Sequence, residues 1–180
     1  QIPFELSTGG AAIQVIRDGG YDGDVAGNSI SATVLERSPG IFPLGIGNYG
    51  VIVNASQGNF PLPTDVGTQL GLTTTPARPG DILVIYATGL GPVDNPVPTG
   101  EATPNSPLAW TLDRPDVNYS NNPVNLIKRA AFSGLSPGSV GLYQVNVAIH
   151  EDTPTNDTTP VTLQFSDGIR SNTVYIAVER

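Results

Sequence analysis

The most regular alternation of apolar and polar positions lies in residues 142–149, directly after a loop rich in Gly, Ser and Pro. A period of two residues is that of a half-buried β-strand, because successive side chains of a strand point to opposite faces. We therefore predict a strand here, with the rest of the fold packed around it. Its buried face carries Tyr143, Val145, Val147 and Ile149.

Shorter alternating segments recur along the chain and are separated by turns of Gly, Pro, Asn and Asp, which break regular structure. No window sustains a helical period, so we predict that residues 56–79 form an ordered surface loop and contain no helix. The predicted strands span residues 1–6, 11–17, 29–36, 49–55, 81–90, 116–120, 125–133, 142–149, 161–165 and 173–178.

Residues 82–86 form a nearly continuous apolar run, which is typical of a central strand covered on both faces. The loop at 166–168 reads Ser-Asp-Gly, a hairpin signal between the last two strands. We predict a core that contains Ile82, Val84, Tyr86, Phe132, Leu142, Val145, Val147, Leu163, Val174 and Ile176.

These elements predict an all-β protein with two parts. Residues 1–36 supply three strands of an incomplete second β-sandwich or sheet, and residues 37–40 form a Pro- and Gly-containing linker. Residues 41–180 supply about seven strands, the number of an immunoglobulin-like β-sandwich.

Charge and composition exclude several classes of partner. The net charge is −8, Lys128 is the only lysine, and no basic cluster exists, so nucleic acid and anionic membrane surfaces are not expected partners. No apolar run approaches the roughly 20 residues of a membrane span, so we expect no membrane insertion. Cysteine is absent, which excludes disulfides and thiol chemistry.

Catalytic candidates are few. His150 is the only histidine, and a catalytic triad would have to combine it with a serine such as Ser133 or Ser136. No Gly-x-Ser-x-Gly elbow supports that arrangement, so we interpret His150 as a surface residue at a strand end. The sequence shows no cofactor signature, and we predict that the protein is not an enzyme.

Calcium is the one metal with a candidate site. Asp18, Asp22 and Asp24 lie in a Gly-rich turn, and closely spaced carboxylates on a flexible backbone suit a hard cation with oxygen ligands. The spacing lacks the ligand count of an EF-hand, so the plain reading is a solvated hairpin turn.

A glycan platform is a further candidate. Trp110 and Tyr119 lie near the carboxylates Glu101, Asp113 and Asp116, a set that suits sugar stacking or glycoside hydrolysis. We favour the simpler interpretation that Trp110 closes the edge of the sandwich.

Three segments resemble a known domain family: residues 79–92 (PGDILVIYATGLGP), 132–147 (FSGLSPGSVGLYQVNV) and 171–178 (SNTVYIAV). Residues 1–5 and 38–42 are similar to it as well. The family is the uncharacterised C-terminal domain of exported proteins from Solibacter-like acidobacteria. The resemblance implies export and tandem immunoglobulin-like sandwiches, and it implies no catalytic residues. An immunoglobulin-like half usually precedes the region that this chain matches, so the first sandwich is expected to be truncated here.

A truncated sheet would leave an apolar face and free strand edges, which soluble monomers avoid. We predict a non-catalytic extracellular or cell-surface module whose copies form a filament or matrix by strand complementation. The predicted contact residues are Ile2, Phe4 and Leu6. A carbohydrate-binding or adhesion module and an accessory domain of a larger secreted hydrolase are the alternatives.

Overall fold

The computed structural model describes residues 6–17, 23–122 and 124–180. The chain divides into a smaller unit, Ile2–Glu36, and a larger unit, Arg37–Arg180. The prediction of an all-β, sandwich-like protein is confirmed, since the units consist of antiparallel sheets and one short helix. The finer immunoglobulin-like assignment stays a prediction. Within the described ranges, no helix is long and apolar enough to cross a membrane.

The elements follow one another in a simple order. The smaller unit contains β1 (Gly9–Ile13), β2 (Ile16–Arg17), β3 (Val25–Ala26) and β4 (Ile30–Val34). The larger unit contains β5 (Gly40–Ile41), β6 (Ile52–Asn54), α1 (Thr64–Leu70), β7 (Ile82–Thr88), β8 (Asp116–Asn118), β9 (Ile127–Arg129), β10 (Phe132–Leu135), β11 (Tyr143–Ala148), β12 (Asn156–Gln164) and β13 (Val174–Val178).

The strand predicted first, β11, is central to a five-stranded sheet. It lies between β10 and β7, and β7 pairs on its other side with β5 and then β6. Buried and half-buried residues alternate along the whole of β11, and Val145 and Val147 are completely buried as predicted.

The predicted inward face of β7 is wrong. Its buried residues are Leu83, Ile85 and Ala87, whereas Ile82 is 41% exposed. The register pairs Ile85 with buried Val145, which places the odd-numbered residues on the inner face. Both faces of β7 are apolar, so periodicity could not distinguish them, and the outer face is partly covered, since Val84 and Tyr86 are half-buried.

Two further core assignments need correction. Leu142 is only half-buried. Phe132 is buried, but its register partner is Asn146, which alternates with the inward residues of β11. Phe132 therefore lies on the outer face of the sheet, where the ring of Trp110 packs edge-on against it with centroids 4.7 Å apart.

The second sheet has the order β13–β12–β8–β9. The core predictions for Leu163, Val174 and Ile176 are confirmed, since all three are completely buried. The predicted hairpin at residues 166–168 is present, with the Phe165 amide donating to the Ile169 carbonyl at 2.9 Å. The strand β12 starts at Asn156, earlier than predicted, because its polar first residues read as loop.

Pro160 lies inside β12, paired with Tyr175 of β13. The Leu163 amide points towards the β13 side, where it donates to the Ser171 hydroxyl. Since amides alternate along a strand, the ring nitrogen of Pro160 faces the β8 side. The pairing with β8 covers only Thr162 to Gln164, so Pro160 lies just beyond the paired residues, at a buried position where no N–H is needed for that ladder.

The two sheets are tied together by Asn172, next to β13. Its side chain accepts a hydrogen bond from the Ile41 amide at 2.7 Å and donates one to the Ile41 carbonyl at 3.0 Å. The Asn172 side chain thus takes the place of a neighbouring strand beside β5, because it bonds to both the amide and the carbonyl of Ile41.

The prediction that residues 56–79 contain no helix is wrong, because α1 occupies Thr64–Leu70. Pro63 precedes the helix with φ fixed near −60°, Asp65 lies in its first turn, and Gly71 ends it in the left-handed conformation. The helix has only seven residues, too few to display a helical period. Val66 packs it into a side cluster with Tyr49 and Leu62.

Two buried tyrosines of the larger unit make hydrogen bonds to backbone carbonyls. Tyr143 donates to Gly91, and Tyr119 donates to Ala148 at 3.1 Å. Burial raises the pKa of Tyr143 to about 12, and it also raises the pKa of Tyr119. Each phenolate is disfavoured because a buried charge lacks the solvation it has in water, and because a deprotonated oxygen could no longer donate to the carbonyl.

We expect stability to fall as the pH rises from 10 towards 12. In the unfolded chain the phenols ionise near pH 10, whereas the folded protein keeps them protonated. The unfolded state therefore binds fewer protons in this window, which favours unfolding at high pH. Urea midpoints measured on both sides of pH 10 test this, with Tyr143→Phe as the variant that should flatten the profile. Equal midpoints across the window would contradict it.

Candidate functional site

The smaller unit presents an apolar face that is partly exposed, because two of its large side chains are accessible while Ala11, Ala32 and Val34 are half-buried. Strands β1 and β4 pair in register as an antiparallel ribbon, in which Ile13 lies opposite Ile30 and Ala11 opposite Ala32. Directly opposed residues share a face, so these pairs form one continuous apolar surface. Ile13 is 50% exposed and Ile30 62% exposed. We call this surface the ribbon face: Ala11, Ile13, Ile30, Ala32 and Val34.

The opposite face of the ribbon is different in character. It carries Gly10, Ala12, Ser31 and Thr33, which are small or polar. The ribbon is therefore amphipathic with the period of a half-buried sheet, although neither strand has a sheet packed on it within the described part of its unit. Two-stranded ribbons of this size are marginally stable alone, so packing of another element on the ribbon face would stabilise the ribbon.

Further apolar side chains extend the exposed surface of the smaller unit. Strands β2 and β3 form a second short ribbon in which Ile16 pairs with Ala26 and Arg17 with Val25. Val15, Ile16 and Val25 are all more than half exposed. The backbone between these strands is tied by the Gly27 amide, which donates to the Val15 carbonyl at 2.9 Å.

The contact residues predicted from sequence lie only partly within the described chain. Ile2 and Phe4 fall outside the described residues. Leu6 is described, is exposed, and belongs to no strand. The ribbon face instead lies on β1 and β4. In the sequence, the ribbon face is indicated by apolar residues an even number of positions apart, which share one face of a strand: Ala11 and Ile13, and Ile30 and Val34.

The calcium prediction falls mostly outside the described chain as well. Asp18 and Asp22 are not among the described residues, and Asp24 is exposed at the start of the β3 segment. Among the described residues, no group of three or more acidic, histidine or cysteine side chains is placed to hold a metal ion.

The structure corrects the glycan platform. Tyr119 is only 1% exposed and its hydroxyl is bonded to Ala148, so its ring cannot stack on a sugar. Trp110 is half-buried, packs against Phe132, and has the Arg114 guanidinium 6.0 Å from its ring centroid. Trp110 thus packs on the outer face of the sheet, and the predicted pairing of the two rings is not formed.

The predicted carboxylates are engaged elsewhere. Asp113 forms an ion pair with Arg37, and Asp116 forms one with Arg129 at 3.2 Å. Each carboxylate is therefore held by a different arginine, whereas glycoside hydrolysis requires two carboxyl groups that flank one bond. Glu101 is exposed.

The serines considered for a triad are also bonded to other groups. The buried Ser133 hydroxyl accepts from Thr111 at 2.9 Å, and the Ser136 hydroxyl donates to Gln144 at 3.1 Å. The His150 Nδ1 atom accepts the Asp152 amide at 3.1 Å. These contacts hold both serines and the histidine in local structural roles.

Beside His150, Lys128 pairs with Glu151 at 2.6 Å. The hydrogen bond from Lys128 lowers the pKa of the Glu151 carboxyl, which is an electrostatic effect of an exposed ion pair. Such pairs add little stability because solvent screens them.

Comparison with protein-family models, curated proteins and solved structures finds no match for this chain.

Proposed function

We propose that this protein is a non-catalytic structural module that assembles with other copies of itself through the ribbon face. The observation that supports this is the exposure of an in-register apolar surface on the β1–β4 ribbon. Complete burial of an exposed Ile side chain contributes roughly 1.5–3 kcal/mol, and Ile13 and Ile30, which are 50% and 62% exposed, would each contribute about half of that.

The free edges of the ribbon favour a partner made of β-structure. Within the described part of the smaller unit, β1 pairs only with β4, so each strand keeps one edge without a partner. Unpaired backbone groups at such edges bind an added strand, and the adjacent apolar face then packs on the enlarged sheet. If the added strand comes from a different surface of the neighbouring copy, the contact is heterologous and propagates into a filament unless rotation closes a ring, whereas a contact between two ribbon faces closes as a dimer.

The proposed location is extracellular or at the cell surface. The family that the sequence resembles consists of exported proteins, and a chain without cysteine folds without regard to the redox state of its surroundings. The net charge of −8 keeps individual copies soluble before assembly.

We expect the double variant Ile13→Asp, Ile30→Asp to abolish self-association. The two carboxylates lie opposite each other on the ribbon face, and burying them without partners is strongly unfavourable. Sedimentation velocity over a range of concentrations, together with negative-stain electron microscopy, measures the effect. The wild-type chain should form polymers, and the variant should remain monomeric.

The matched control is Ser31→Asp, Thr33→Asp, which adds the same charge to the opposite face of the same ribbon. This control should assemble like the wild-type chain. Loss of assembly in both variants would indicate a general charge effect. A wild-type chain that is a monodisperse monomer at high concentration, with the β1 and β4 amides protected from hydrogen exchange, would refute the proposal.

A further inference from the structure

The outer face of the five-stranded sheet carries a shallow pocket of about 550 Å³. Its floor is Tyr86 of β7, and its walls come from the segments after β5 and after β10. The pocket is a depression that is wide open to solvent and not an enclosed cavity, so it suits the side of an extended segment better than a small molecule. The side chains that characterise it are Phe42, Pro43, Tyr86, Pro137, Ser139 and Leu142.

The chemistry of the lining is unusual for a surface. None of the described residues that line the pocket is charged. Two aromatic rings and two prolines provide flat apolar surfaces, and Phe42 is 40% exposed. Tyr86 and Ser139 bring hydroxyl groups to the lining, which are the donors that an incoming backbone carbonyl would require.

This combination selects the class of ligand. An anion or cation would find no countercharge, and a sugar would find few of the polar groups that recognition of several hydroxyls requires. A polyproline II segment matches better, because it presents proline rings to aromatic-lined grooves and leaves its backbone carbonyls free to accept hydrogen bonds.

The chain itself displays such a segment. Pro96 and Pro98 are exposed at the tip of a loop without regular secondary structure. Proline fixes its own φ near −65° and biases the residue before it towards extended conformations, so Asn95 and Val97 are restricted too. The two proline rings lie roughly 6 Å apart along a polyproline II helix.

Hydrogen bonds hold the base of this loop in place. The Asp94 amide donates to the Trp110 carbonyl at 2.9 Å, and the Asp94 carboxylate accepts the Trp110 amide at 2.8 Å. The Asn95 side chain donates to the Leu108 carbonyl at 2.8 Å. The tip is therefore presented in a restricted conformation, which reduces the entropy lost on binding.

We propose that the pocket around Tyr86 binds the Pro96–Pro98 loop tip of a second copy of the chain. The loop of the same copy does not line the pocket, and its proline rings remain exposed. This inference rests on the proposed self-association in that copies must meet, but it uses a surface of the larger unit and does not require the ribbon face. It gives an assembly a second, lateral contact between neighbouring copies.

A binding experiment with the full chain tests the pocket directly. The probe is a capped peptide of residues 94–101 (DNPVPTGE), titrated calorimetrically and by NMR into the non-assembling Ile13→Asp, Ile30→Asp chain. We expect Tyr86→Ala and Phe42→Ala, each made in that background, to weaken binding by about tenfold or more, as truncation of a contact residue commonly does. Ile169→Ala, which removes an exposed apolar side chain elsewhere, is the matched control and should bind normally.

A second arm uses the chain's own loop. The peptide with serine in place of both prolines, which carries the same charges, should not bind to the Ile13→Asp, Ile30→Asp chain.

Each other outcome overturns the inference. Absence of peptide binding, equal binding to the Tyr86→Ala and Phe42→Ala chains, or equal binding of the serine peptide would exclude a proline-specific site in this pocket. Binding of a neutral glucose oligosaccharide in place of the peptide would identify a sugar site. These results are independent of whether the ribbon face mediates assembly, because the peptide is titrated into a chain that lacks an intact ribbon face.

Discussion

Gly134→Ala is expected to destabilise the larger unit by about 3 kcal/mol, at the upper end of what overpacking costs. Gly134 lies in β10 and bridges to Trp110 on the neighbouring segment. A Cβ added there would overlap the carbonyl oxygen of Ala109 and approach its carbonyl carbon to 3.0 Å. Because these atoms belong to the backbone, no side-chain rotation relieves the overlap.

The displaced segment would lose hydrogen bonds as well. The Ala109 carbonyl accepts the Leu135 amide at 2.9 Å, and the Thr111 amide donates to the Ser133 carbonyl at 2.8 Å. Both bonds lie beside Gly134, so moving the backbone away weakens them together and leaves buried groups without partners.

Urea unfolding followed by Trp110 fluorescence measures the effect, since the single tryptophan lies at the site of the change. Gly168→Ala is the control: an added Cβ there meets no atom within 4 Å, and its positive φ of 87° costs only about 1–2 kcal/mol. A Gly134→Ala chain as stable as the Gly168→Ala chain would show that the two segments separate easily.

Arg37→Ala is expected to cost about 2 kcal/mol in the same assay, because it leaves partly buried groups without their partner. The Arg37 side chain is largely buried, ion-pairs with Asp113, and lies 3.5 Å from Asp167. Its guanidinium also lies over the ring of Phe165, 4.7 Å from the centroid. The planar group thus combines charge pairing with stacking, and both are lost on truncation.

Arg37→Lys separates these contributions. It keeps the positive charge but removes the flat group that stacks on Phe165, so we expect it to recover only part of the loss. Arg170→Ala removes an exposed arginine whose side chain donates to Gln164 at 2.6 Å, and it should change stability by less than about 0.5 kcal/mol. If Arg37→Ala resembles Arg170→Ala, the contacts of Arg37 contribute nothing beyond those of a surface ion pair.

The sequence predicts strands best where one face is polar. Alternation identified β11 and its inward residues, because Gln144 and Asn146 contrast with Val145 and Val147. In β7 the contrast is absent, and the predicted face was the outer one. Which face is inward depends on pairing with β11, which is information that a single segment does not contain.

Tertiary contacts also determine secondary-structure elements that local sequence patterns predict poorly. Residues 125–133 appeared to be one strand, but β9 pairs with β8 while β10 pairs with β11, so the chain changes sheets between them. The helix α1 was missed because its seven residues are held by a proline, a glycine cap and contacts to Leu62 and Tyr49.

The candidate sites also differ in how far the sequence alone could predict them. The prediction of an open apolar face in the first 36 residues came from alternating apolar positions in three predicted strands, and the structure describes partly exposed apolar residues on β1 and β4. The pocket around Tyr86 could not be predicted, because it joins segments that lie as far apart in the chain as Phe42 and Ser139. Proximity in the sequence suggested the pairing of Trp110 with Tyr119, and folding turned the second ring inward.

The double hydrogen bond between Asn172 and Ile41 has a consequence for when the protein can fold. The two residues are 131 positions apart, so this link between the sheets cannot form until nearly the whole larger unit has left the ribosome. The pairing of β7 with β11 is also long in range, and folding rates fall as contacts become less local. A nascent chain would therefore lack this link between the two sheets until synthesis of the larger unit is almost complete, whereas local pairings such as that of β1 with β4 could form earlier.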